Sequence, residues 1–175
     1  MSHTMTDTDT PRIYVACLAS YNAGILHGQW IDATDVDEVR EAIGEMLARS
    51  PSPGAEEWAI HDYEGFGPLR LSEWADLDRV AEIGALIEQH GAAFAAYADN
   101  VGIDHATEDG FEEAYCGEWD SEQAYAENLF DELYAHDVPE HIAPYIDYEA
   151  FARDLFMGDN YSIDSESGVY VFRNC

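Results

Sequence analysis

Thirty-seven of the 175 side chains are carboxylates, against seven arginines and no lysine, so any chemistry here is written around acids. Paired carboxylates such as Asp104 and Glu108 have a spacing compatible with general acid–base work. With so many acids, such pairs arise by chance and carry no weight. His61 and Asp62 read as structural neighbours within a strand. His136 and His141 stand five apart across Pro139, a poor spacing for ligating a metal. Asp164, Glu166 and Gly168 resemble part of a calcium loop, but the glutamate required at its twelfth position would fall on Cys175. The chain has no phosphate-binding loop, dinucleotide fingerprint, zinc-protease motif or nucleophile elbow. These residues point away from an enzyme and call for no metal and no cofactor.

What remains is the charge itself. A formal charge of −30 destabilises a compact chain by self-repulsion and needs a reason. Duplex DNA carries about one charge per ~1.7 Å of axis, so thirty charges match roughly 50 Å, or about 15 base pairs. A folded polyanion of that density can compete for a site built to bind DNA. Disorder is the other reading of high charge, but 47% of residues are apolar and 13% aromatic, enough for a sizeable core. A halophilic background would give acid excess without a role. A GC-rich genome exchanges lysine for arginine, but it would raise the arginine count, and seven is low.

The distribution is uneven. Residues 1–79 hold fifteen acids and five arginines, net −10; residues 80–152 hold eighteen acids and no cation, net −18; residues 153–175 hold four acids and two arginines, net −2. Seventy-three residues without one cation fit a surface that presents a continuous negative field. The dispersed arginines make no phosphate-binding track, so nucleic acid is not an expected partner. No apolar stretch is long enough for a signal peptide or membrane span, which makes the cytoplasm the default and excludes a membrane role. Cys17, Cys116 and Cys175 form no CxxC pair.

The elements that must position these charges read as α+β, an elongated chain of three small subdomains after a polar, aperiodic and disordered tail at 1–11. The first, 12–70, is a β-sheet plus helix: a central strand over 13–19, a loop at 21–24, a strand over 26–32 and another over 58–63. Between them Asp35 and Glu38 form a capping box, and Val36, Val39, Ile43 and Leu47 line one helical stripe. Glu38, Glu41 and Glu45 fall on the opposite side. Ser50-Pro51-Ser52-Pro53-Gly54 stops that helix. The second subdomain, 71–104, is helical from Ser72, capped by Gly91 and followed by a helix over 92–98. It carries Glu82, Glu88, Asp99 and Asp104.

The third, 105–175, mixes helices with two strands near 160–163 and 169–173. It carries Glu108, Asp109, Glu112, Glu113, Glu118, Asp120, Glu122, Glu127, Asp131, Glu132, Asp137 and Glu140. With the seven acids of the first two subdomains, these form the candidate acidic surface. Asp120 and Gln123 box the start of a helix through about Tyr134, with Tyr125, Leu129, Phe130 and Leu133 inward. Asp147 caps a further helix carrying Phe151, Leu155 and Phe156. Five acids between Asp120 and Glu132 give about one charge per ~3.6 Å along the helix axis, against one per ~3.4 Å along a DNA strand.

The segment Arg12-Ile13-Tyr14-Val15-Ala16-Cys17-Leu18-Ala19-Ser20-Tyr21-Asn22-Ala23-Gly24, with Leu26, Gly28, Trp30 and Asp32 after it, resembles the ArdA family of antirestriction proteins. The likeness continues at 111–119, 147–155 and 168–172, so it spans about 12–173; the first ten residues and the 51–54 insertion lie outside it. The resemblance implies an elongated DNA mimic from mobile elements, three small domains in a row, usually dimeric. Such proteins occupy the DNA-binding groove of type I restriction-modification enzymes, whose methyltransferase core is then the expected partner. A homodimer would present −60, from −30 per chain. The family offers no catalytic residues. An acidic chaperone or inhibitor of another basic protein is the alternative binding role, and a carboxylate-pair hydrolase stands third.

Overall fold

A computed structural model describes residues 10–174, in which contacts divide the chain into two compact units, with the boundary after Ala106. The tail expected at 1–11 lies mostly outside the described residues. Of its last two residues, Pro11 is buried and its carbonyl accepts the Ala33 N–H at 2.8 Å.

The first unit is built on an antiparallel sheet of order β2-β1-β3: β1 Arg12–Cys17, β2 Gly28–Asp32 and β3 Trp58–Glu64. The β-branched run of β1 takes the centre, where Ile13 and Val15 are fully buried. Ile13 faces Ile31 and Tyr63, and a bulge between Tyr14 and Val15 shifts the β3 register. Strand β1 stops two residues earlier than its apolar run. Leu18–Asn22 turns into a short helix, α1, because Ser20 is fully buried with its hydroxyl 3.0 Å from those of both Ser50 and Ser52. The Pro/Gly-containing loop that ends the next helix is thereby tied to the end of β1.

Helix α2, Val36–Ala48, starts at Asp35, whose carboxylate accepts the N–H groups of Asp37 and Glu38. It buries Val39, Ile43 and Met46. Helix α3, Leu77–His90, starts at Asp76 rather than at Ser72, whose hydroxyl closes a turn on Trp74 N–H instead. Gly84 of α3 lies so close to β2's end that an added Cβ would sit 1.8 Å from the Ala33 carbonyl oxygen. Only glycine permits that approach. Helix α4, Ala92–Val101, is buried along Ala93–Ala98. The Arg79 guanidinium donates to the carbonyls of Ile103 and Ala106, holding the segment after α4.

The second unit holds a sheet of order β4-β6-β5: β4 Tyr115–Trp119, β5 Asn160–Asp164 and β6 Val169–Arg173. Central β6 contributes the fully buried Val171 and Phe172. Helices α5 (Glu108–Ala114), α6 (Glu122–Leu133) and α7 (Tyr148–Gly158) complete it. Rings of Phe111, Tyr115, Tyr161 and Phe172 pack at centroid distances of 4.8–6.3 Å, where each pair adds about 0.5–1.5 kcal/mol to simple burial.

Asp147 caps α7 by accepting Ala150 N–H, as its position in the sequence indicates. Helix α6 is capped by Ser121, one residue after Asp120, through Ala124 N–H. The inward stripe of α6 fades along its length: Tyr125 is buried, Leu129 and Phe130 are half-buried, and Leu133 is 55% exposed. Among the described residues, the mixture of seven α-helices with two antiparallel three-stranded sheets is the α+β class expected from the sequence.

Candidate acidic surface

Most acids of the candidate surface are displayed by helices whose apolar faces are turned into a core, with Glu118 on strand β4 and Asp104, Asp120 and Glu140 on connecting segments. In α2, burying Val39, Ile43 and Met46 leaves Glu38, Glu41 and Glu45 exposed. Glu82 and Glu88 of α3, Asp99 of α4 and Asp104 after it are also exposed. In α5, Thr107 accepts Gly110 N–H, and burial of Phe111 and Ala114 leaves Asp109, Glu112 and Glu113 outward, with Glu108 half-buried. Glu118, Asp120, Glu122, Asp131, Glu132, Asp137 and Glu140 are exposed, and Glu127 is half-buried. No predicted surface acid lies in a core.

Their hydrogen bonds separate them into two groups. Several acids also hold the fold. Glu118 accepts the hydroxyls of Ser165 and Ser167 at 3.1 and 2.7 Å, fastening the turn between β5 and β6. Glu122 accepts the Ser162 hydroxyl at 2.6 Å, and Glu82 pairs with Arg79 at 3.0 Å. Glu127 accepts from Gln123 one turn earlier. Asp131 and Glu132, by contrast, are exposed with no hydrogen-bond or ion-pair partner among the described residues.

The five acids between Asp120 and Glu132 do not form one stripe in space. At 100° per residue Glu127 and Asp131 share a face, whereas Glu122 turns toward β5 to meet Ser162. The outward anionic track of α6 is therefore its second half.

Nearby phenols register the field. Burial pushes the Tyr170 phenol up, and the carboxylates of Glu118 and Glu166 push it further the same way. Burial likewise raises Tyr115, helped by the charges of Tyr170 and Glu118. Ion pairs that stand against this acid excess include Arg12–Glu64, Arg40–Asp78 and Arg79–Glu82.

The surface also includes exposed acids outside the sequence-based set. Glu149 and Asp154 flank buried Ala152 on α7, and Asp159, Asp164 and Glu166 follow. Helical periodicity around Ala152 was the signal for the first two. The histidine and carboxylate pairs take structural or solvent-facing places. The His61 ring meets Tyr21 edge-on at 4.9 Å, Asp62 accepts the Tyr63 N–H, and His136 and His141 are both exposed.

None of the described helices is long and apolar enough to cross a membrane. No curated protein matches the chain. The family profile described as Antirestriction protein (ArdA) matches residues 13–170. That span takes in all nineteen acids of the predicted surface and both sheets apart from Arg12 of β1 and the last three residues of β6, and the chain belongs to the ArdA antirestriction family.

Proposed function

We propose that this chain is a DNA mimic that occupies the DNA-binding groove of a type I restriction-modification enzyme, at its methyltransferase core, and so blocks restriction. The observation that carries this is the exposure of the predicted acids: seventeen of the nineteen are exposed and two half-buried, within a chain of net charge −30. A groove lined with lysine and arginine to bind phosphates meets the same sign of charge on this surface. Binding is stoichiometric and non-covalent, and no residue acts as catalyst. The active form is a homodimer in the cytoplasm.

A pull-down with a purified type I methyltransferase core, repeated with rising duplex DNA, tests the function. Capture that duplex DNA abolishes supports mimicry. Capture that persists at saturating DNA favours an acidic inhibitor acting elsewhere on the enzyme.

A further inference from the structure

Charge complementarity alone gives affinity that decays with salt, and one feature of the first unit differs in kind from the acidic surface. A cleft of about 580 Å³ opens between α2, the outer edge of β3 and the segment leading into α3. Arg40, Ile43, Trp58, Trp74, Ala75 and Leu77 line it. Trp74 is 67% exposed, so its indole stands at the mouth rather than in the core. The walls are held firmly: Glu73 O accepts Ile60 N–H at 3.1 Å, and the Asp76 carboxylate caps α3.

Its volume lies within the range of small-ligand sites and its lining is mostly apolar and aromatic. An anionic ligand is a poor occupant. The chain's −30 field repels it, and the Arg40 charge is already met by Asp78 at 3.0 Å. Exposed acids adjoin the lining residues in sequence: Asp37 and Glu41 on α2, Glu57 beside Trp58, and Glu73 and Asp76 around Trp74. The surroundings attract a basic partner, while the cleft itself takes an uncharged ring. Two indoles offer stacking faces and the Arg40 guanidinium offers a cation for the ring's π-face.

We infer that this cleft receives an aromatic side chain projecting from the basic surface of the target enzyme, a salt-insensitive anchor added to the acidic field. The inference rests on the proposed DNA-mimic function. Aromatic and arginine residues around a desolvated pocket are the usual composition of interface hot spots.

Gly44 supplies a clean test. It also lines the cleft, and a Cβ added there meets nothing within 4 Å, so Gly44→Leu fills the space from a helix that tolerates it. Trp74→Ala removes the mouth from an exposed position. Both variants, with wild type, are titrated into the type I methyltransferase core at several salt concentrations, with thermal melts and sedimentation alongside. Each variant is expected to lose about tenfold or more in affinity at every salt concentration, with an unchanged slope against log salt, and to keep its fold and oligomeric state.

Wild-type affinity in both folded variants would overturn the anchor while leaving mimicry intact. A loss that disappears at high salt would overturn it too, by assigning the effect to charge. Dissociation of the oligomer in the variants would make the cleft a contact between copies of this chain. Absence of wild-type binding would overturn mimicry and anchor together.

Discussion

Replacing Glu127, Asp131 and Glu132 with Gln, Asn and Gln tests whether the acids act as a distributed field. Glu127 and Asp131 are four residues apart on α6, about 6 Å along the axis, less than the ~8 Å Debye length at physiological salt. They therefore act on a partner together. An exposed ion pair contributes about 0–1 kcal/mol, so one substitution costs roughly 0.5 kcal/mol, or about twofold in affinity. All three cost roughly 1.5 kcal/mol, or about tenfold. The triple variant also flattens the salt dependence of binding. Stability should move the other way, since like charges at i,i+4 destabilise a helix by about 0.2–0.5 kcal/mol and the triple variant removes that repulsion. The assay is inhibition of methyltransferase binding to labelled duplex at several salt concentrations, with a thermal melt of each variant. A single substitution that abolishes inhibition in a folded protein would refute the reasoning, because it would locate the energy in one hot spot.

Three further outcomes follow from the fold and its charge. Raising salt from about 0.01 to 0.15 M shortens the Debye length from about 30 to 8 Å and should raise the melting temperature; a fall would mean that the few ion pairs outweigh the repulsion. Gly84→Ala forces a methyl to within 1.8 Å of the Ala33 carbonyl oxygen, so despite better helix propensity it should destabilise the protein by about 1–3 kcal/mol in denaturant unfolding; an unchanged midpoint would refute the close approach. Tyr125 is pushed up to about 12 by burial and then by its hydrogen bond to Cys116. The native state holds that proton more tightly than the unfolded chain. Its contribution is full below pH 10 and lost as pH rises toward 12, so melting temperature should fall across that window and fall less steeply in Tyr125→Phe.

The elements legible in the sequence were those with strong periodicity or a side-chain cap. The run around Val15 gave the central strand, Asp35 gave the start of α2, and Asp147 gave that of α7. Helix α1 was hidden because its capping residue, Cys17, makes no side-chain cap bond, and the turn away from the sheet depends on serines thirty residues away. Strand β4 is five residues with a glycine at φ +101° and a bulge, so it lacks a clean alternation. Asp120 and Ser121 both suit a helix cap, and only the geometry chose Ser121. The outward acids of α2 followed from amphipathicity, and the rest of the surface from the distribution of charge. Their division into fold-holding carboxylates, such as Glu118 and Glu122, and outward ones, such as Asp131, depends on contacts forty or more residues apart in chain order.

The most direct measurement is displacement of labelled duplex DNA from a type I methyltransferase by the unmodified protein, across a series of DNA concentrations. A DNA mimic is predicted to compete outright, its apparent inhibition constant rising in proportion to DNA concentration, with DNA and inhibitor never bound together. A ternary complex of enzyme, duplex and inhibitor, or an inhibition constant independent of DNA, would contradict it.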